Sequence, residues 1–226
     1  MRRLLPLLLL LLSACAARPL TQAERAFAAT VHGPTLDVTR VRIVGRNPLY
    51  QFRQIRDPRP PLTCRERIRP PEIGPIETRV AATVLFNRAF FARPFYLDDY
   101  MAEYPQAMNL YDAMLLAHEL THVWQWQNRA RTGYSPFKAA GEHGPGIDPY
   151  LFDLPEDAVF SDFGYEQQGG LVEEFVCCRT LDPEGPRTKR LYNLLNPVFP
   201  GIARYTAVPI GNTTVRVYPP DEGHIC

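Results

Sequence analysis

The sequence predicts an α+β domain in which a small mixed or antiparallel sheet packs against one long helix and a second helix beyond it. Three observations predict this. Leu36–Val44 and Val80–Phe91 are rich in β-branched and aromatic residues and partly alternate apolar with polar ones, as half-buried strands do. Leu110 to about Arg131 contains neither proline nor glycine. Tyr165–Thr180 reads as another helix and stops before Asp182-Pro183-Glu184-Gly185. The 226 residues fit one domain, since single cores grow to about 250 residues before they split.

Met1-Arg2-Arg3 followed by the apolar run Leu4–Leu12 has the n-region and h-region of a secretory signal, too short for a permanent membrane span. Leu12-Ser13-Ala14-Cys15 resembles the lipobox of bacterial lipoproteins, which implies cleavage before Cys15 and acylation of its thiol. Ala16 stands where lipoproteins retained at the inner membrane carry Asp, so the same resemblance favours the outer membrane, facing the periplasm. The expected division is a signal peptide over 1–14, a lipidated tether over 15–32, and one catalytic domain over 33–226.

Thr21–Thr30 reads as a short helix, with Ala23, Ala26 and Phe27 at helical spacing. Prolines cluster in Asp57-Pro58-Arg59-Pro60-Pro61 and Arg69-Pro70-Pro71, where fixed φ and missing N–H groups exclude regular helix and inner strand. In the long helix Ala113, Leu116, Ala117, Leu120, Val123 and Trp124 make one apolar stripe that would bury against the sheet, and Gly133 supplies a stop. In the tail, Val208–Val217 has strand composition around a Gly211-Asn212 turn. Charges nearly cancel, with 25 Lys plus Arg against 24 Asp plus Glu, so no overall field draws the chain to nucleic acid.

The long helix carries His118-Glu119-Leu120-Thr121-His122. Residues four apart project from one helix face, so two imidazoles can meet one metal ion with Glu119 beside it as the general base. Catalytic Zn2+ takes three protein ligands and keeps one position open. A third histidine in the metzincin position is absent, since Gln125 and Asn128 stand where glycine and histidine would be required. A thermolysin-like ExxxD is absent too, because Gly170 follows Glu166 and Cys177 follows Glu173 at that spacing. Glu166, opening the second helix in Tyr165-Glu166-Gln167-Gln168-Gly169-Gly170, is the expected third ligand, and the two glycines would let this helix lie close to the first. A purely dipole-stabilising role for Glu166 stays open, as does Asp148 as an alternative ligand. Glu173, two turns beyond Glu166, either accepts the free N–H of a ligating histidine or is a solvated carboxylate. Tyr134, His143, Tyr150 and Tyr165 border the same region without a clear oxyanion donor among them.

Cys64, Cys177, Cys178 and Cys226 remain after Cys15. In an oxidising compartment an even set favours disulfides, and the adjacent Cys177 and Cys178 would each pair with Cys64 or Cys226.

HELTHVWQWQ together with FSDFGYEQQGGLVEEF resembles the paired segments of the HExxH domain of Vgr-related and similar bacterial proteins. That resemblance spans about Leu110–Phe175 and implies a zincin-like zinc metallopeptidase fold with the glutamate of the EQQ segment as third ligand. Gly169 departs from it, since alanine is more usual there. The reading is therefore an exported zinc peptidase acting on peptide or protein. Its competitor is a zinc-stabilised scaffold lipoprotein without turnover, disfavoured because a structural site has no use for Glu119 as a base.

Metabolic labelling with a fatty-acid analogue should mark the wild-type protein and leave Cys15→Ser unlabelled. Equal labelling of the variant would exclude acylation at Cys15.

Overall fold

The computed structural model describes residues 17–144, 148–214 and 225–226, so the signal segment and Cys15 lie outside the described residues. Within that range the chain is a mixed α+β structure with several helices and small sheets.

Thr21 starts α1 (Gln22–His32) with a reciprocal cap: its hydroxyl accepts from the Glu24 N–H at 3.1 Å, and Glu24 Oε2 accepts from the Thr21 N–H at 2.9 Å. Glu24 is fully buried, and Arg18 donates to both of its oxygens at 2.8 Å. The expected tether is thus built into the domain from Arg18 onward. Leu20, Phe27, Ala28 and Val31 belong to the core, and His32 Nε2 lies 2.9 Å from the Thr121 hydroxyl on the long helix.

The first expected strand shortens to β1 (Arg42–Val44). Asp37 accounts for the loss, because its Oδ1 accepts from both the N–H and the hydroxyl of Thr39 at 3.1 and 2.6 Å and turns the chain there. A ribbon of β2 (Arg53–Arg56) paired antiparallel with β3 (Ile76–Arg79) brackets the proline-rich stretch, and α2 (Cys64–Arg67) makes one turn within it. The second expected strand region divides into β4 (Ala82–Leu85) and β5 (Arg88–Phe91), joined by a tight turn at Phe86, whose φ is 59°. The order β1-β5-β4, with β1 parallel and β4 antiparallel to β5, makes a mixed sheet. Ile43, Val84, Ala89 and Phe91 bury its inner face.

After β6 (Met108–Asn109) the chain enters α3 (Leu110–Gln127), capped by Asn109. The expected helix to Arg131 breaks at Asn128, whose amide donates to the Trp124 carbonyl at 2.9 Å and to the Thr35 carbonyl at 3.2 Å. One further turn, α4 (Arg129–Thr132), reaches Gly133 at φ 66°. Helix α3 packs against α1, the sheet and α6, so residues 116–125 are buried on every side rather than along one stripe. Then follow α5 (Pro136–Gly141), α6 (Tyr165–Leu181) and α7 (Pro186–Leu195). In the tail only β7 (Thr213–Thr214) is strand, paired with β6, and residues 215–217 of the expected segment lie outside the described residues. No described helix is long and apolar enough to cross a membrane.

Two disulfides, Cys64–Cys177 and Cys178–Cys226, tie both faces of α6 to distant chain. Adjacent cysteines on a helix point about 100° apart, so each finds its own partner. Thiol titration of unfolded, unreduced protein beginning after Cys15 should therefore find no free thiol. Two or more reactive groups would contradict this pairing.

Candidate metal centre

Helices α3 and α6 cross where His118 and His122 face Glu166. His118 Nε2 and His122 Nε2 are 3.1 Å apart, and Glu166 Oε2 lies 3.3 Å from each. All three residues are buried. This triangle fits a metal ion: three ligand atoms about 2.0–2.2 Å from a tetrahedral centre stand about 3.3 Å from one another.

The rings are held from behind. His122 Nδ1 lies 2.8 Å from Gln125 Oε1, while the Gln125 amide donates to the Tyr165 carbonyl at 3.0 Å and to Gln168 Oε1 at 2.9 Å. With the amide so committed, the Gln125 oxygen must accept, the proton of His122 sits on Nδ1, and the Nε2 lone pair turns inward. His118 Nδ1 lies 3.3 Å from Glu173 Oε2, an acceptor for an Nδ1 proton. Glu173 is thus buried beside the His118 ring rather than solvated. With an acceptor behind each ring, the two Nε2 atoms and the Glu166 oxygen form a group that could hold a cation between them.

The electrostatics agree. Burial opposes a charge on His118, yet hydrogen bonds to Glu166 and Glu173 overcome it and lift the imidazole to about 10. Burial would raise Glu173, but Arg65 and His118 bring it down to about 2. Burial likewise opposes ionisation of Glu166, and His122 and His118 outweigh it, holding the carboxyl well below the ordinary range. A proton and a metal ion would compete for the same point.

Glu119 stands beside the triangle, buried, with Oε2 lacking a hydrogen-bond partner. Burial raises its carboxyl, partly offset by His118 and His122. A carboxylate of raised pKa beside a metal-bound water is suited to move a proton near neutral pH.

Asp148 is not among the converging atoms. Its oxygens accept from Arg59 at 2.6 and 2.8 Å, outside the cradle. Tyr165 also turns away, donating to the Thr132 carbonyl at 3.3 Å. Three groups do border the cradle. Tyr134 stacks 6.4 Å from the His122 ring, the Tyr150 ring lies 5.9 Å from that of His118, and His143 Nε2 is 4.0 Å from Glu166 Oε1 and 3.3 Å from the Tyr150 hydroxyl. A cleft of about 490 Å³ lies behind the site, where Glu142, Tyr165 and Gln168 line it, but none of Glu119 or the three ligating groups does.

Two contributors escaped the sequence reading. Gln125 drew notice only as a departure from the metzincin pattern, although a polar residue one turn after a ligating histidine is the natural place for its orienting acceptor. Glu142 carries no sequence signal. Its two oxygens accept from the N–H groups of Tyr165 and Glu166 at 2.8 and 2.9 Å, satisfying the start of α6 and fixing where Glu166 emerges.

No family model matches the chain, and no curated protein does. Among solved structures, the effector domain of Pseudomonas aeruginosa VgrG2b is similar, with a TM-score of 0.50 and 20% identity over 81% of this chain and 84% of that one. At that identity the likeness concerns the fold, and the neighbour is itself a Vgr-related protein.

Gly169 packs α6 directly against the His118 ring. A Cβ there would lie 2.8 Å from His118 Cε1 and 2.9 Å from Nε2. Gly169→Ala should therefore push the ring off its lone-pair direction and weaken Zn2+ binding roughly tenfold, the scale of a disturbed outer shell. Chelator competition would measure this, and unchanged affinity would show that the ring has room to spare.

Proposed function

We propose that the chain is an exported, lipid-anchored zinc metallopeptidase of zincin-like fold that hydrolyses peptide bonds with Glu119 as general base. The observation that carries this reading is the triangle of His118 Nε2, His122 Nε2 and Glu166 Oε2 beside a buried carboxylate with an unpartnered oxygen. Bound there, zinc would acidify a water and polarise the carbonyl of the scissile bond.

The chain's own residues divide the remaining work. Glu119 takes the proton of the attacking water and hands it to the departing amine. His143 and Tyr150 stand on the open side, where an imidazole or phenol can donate to the carbonyl oxygen as negative charge grows on it. The His143 side chain is 27% exposed, which leaves it within reach of a bound polypeptide. Gln125 and Glu173 keep the ligating rings aimed. A fold shared with an effector domain suits an enzyme-like role of this kind. Acylation at Cys15 would place the domain at the outer membrane facing the periplasm. The balanced charge of the chain gives nucleic acid no electrostatic purchase.

Two substitutions separate base from ligand. Glu119→Gln should retain zinc and lose hydrolysis by about 10²- to 10⁴-fold, because the amide keeps the shape but cannot take a proton. Glu166→Ala should instead weaken zinc binding while His118 and His122 remain. Zinc stoichiometry measured beside cleavage of a peptide library distinguishes them. Undiminished turnover in Glu119→Gln would end the proposed mechanism, full zinc affinity in Glu166→Ala would remove that residue as a ligand, and a zinc-loaded wild type that cleaves nothing would favour the scaffold lipoprotein.

A further inference from the structure

Arg65, on the single-turn α2, is a buried charge that reaches the cradle from outside the two long helices. Its Nη1 lies 3.4 Å from Glu173 Oε2, the same oxygen that lies 3.3 Å from His118 Nδ1. Its Nε and Nη2 meet Glu66 Oε1 at 2.8 and 2.7 Å, so the guanidinium is clamped from both sides. A continuous polar chain therefore runs from Arg65 through Glu173 to the back of a ligating ring.

Non-covalent anchors hold α2 at its end, where Ile68 is buried and its carbonyl accepts from the Tyr111 hydroxyl, and Arg67 Nη1 donates to the Ile225 carbonyl at 2.7 Å. The turn sits between Pro60-Pro61 and Pro70-Pro71, in a stretch that belongs to no sheet. Its covalent tie is Cys64–Cys177, one residue from Arg65. On α6, Cys177 follows Glu173 by four residues, so the two share a helix face. The bond that fixes Cys64 to that face thus sets the neighbouring guanidinium beside Glu173.

We propose that Arg65 is a positioning residue for the metal cradle and that the Cys64–Cys177 disulfide holds it there, making metal affinity depend on oxidation of this pair. The inference rests on the reading of His118, His122 and Glu166 as ligands. With the pair reduced, α2 keeps its buried and hydrogen-bonded anchors but loses its covalent tie to the Glu173 face, so Arg65 aims Glu173 less firmly and Glu173 in turn aims the His118 ring less firmly. Closing the pair transfers two electrons and two protons from the thiols to the disulfide of a thiol–disulfide exchange catalyst, which leaves as a dithiol. A reducing compartment would then hold the chain in a weakly binding form, and an oxidising one would complete the site.

The test is Zn2+ affinity by chelator competition, beside the unfolding midpoint without metal, on oxidised protein beginning after Cys15. R65Q and C64A/C177A should each weaken zinc binding by roughly tenfold or more, the scale of a lost outer-shell partner. R65K, which keeps a cation within reach of Glu173, should recover part of the loss. C178A/C226A removes an equivalent bond from the other face of α6 and should lower the midpoint while leaving affinity near that of the wild type. Wild-type affinity in R65Q, or equal losses from the two disulfide variants, would overturn the proposal. If C64A/C177A does not fold, the comparison is made on C178A/C226A before and after reduction by a phosphine that is removed before titration. A wild type that binds no zinc would sink both readings, whereas tight binding by the wild type and all variants alike would sink this one alone.

Discussion

Removing two imidazoles and three carboxylates from water at one helix crossing is unfavourable unless each group finds a partner, and much of the structure is arranged around that demand. His118, Glu119, His122, Glu166 and Glu173 are all buried where α3 meets α6. Gly169 sets the distance between the helices, because any larger residue would strike the His118 ring. Once that distance is fixed, each polar atom must be met from a short list of directions. Gln125 meets His122, Glu173 meets His118, Arg65 meets Glu173, and Glu142 meets the N–H groups that open α6. Glu119 Oε2 is buried there without a hydrogen-bond partner.

The surrounding elements hold these partners still. Helix α1 docks on α3 through the pair His32–Thr121, within the motif itself. Its own start is secured by Glu24, which Arg18, the Thr21 N–H and the Tyr100 N–H all contact. Breaking one side of such a buried ion pair costs about 3–5 kcal/mol, so the segment just after the expected lipidation site is part of the fold's stability rather than a loose leash. On the opposite side, two disulfides close loops of 113 and 48 residues onto α6. The helix carrying Glu166 and Glu173 is thereby restrained at its C-terminal half by covalent bonds and at its N-terminus by Glu142.

The parts legible in the sequence were those governed by local rules. The HExxH spacing, the glycine pair of the second helix and the strand-rich stretch before the motif depend on neighbours a few residues away, and the structure places them as α3, α6 and β4–β5. The strand expected from Leu36 failed because one side chain, Asp37, satisfies the backbone locally and outcompetes the sheet. Helices α2, α5 and α7 gave little warning, since each begins beside proline or lies in a segment without a strong apolar period. The orienting groups were harder still. Arg65 sits 108 residues from Glu173, and Glu142 sits 24 from Glu166. Nothing in a linear pattern links such pairs, because three-dimensional packing alone brings them together.

Rigid and variable roles also separate along the chain. The candidate metal ligands sit on buried stretches of two long helices, where a shift of one residue would disturb the core. The groups facing the open side, His143, Tyr150 and Tyr134, come instead from the connection between α4 and α6, and Arg59 reaches over Tyr150, 5.0 Å from its ring, from the proline-rich arm. Asp148 binds this arm to that connection through Arg59. Surface connections tolerate change while a scaffold keeps the chemistry in place, so on the proposed peptidase reading the features that choose a substrate would belong to these two segments rather than to the helix crossing. The arm also precedes the HExxH helix in the chain and contributes none of the three converging atoms. On that reading, the metal cradle would serve a substrate read by residues that the HExxH motif does not contain.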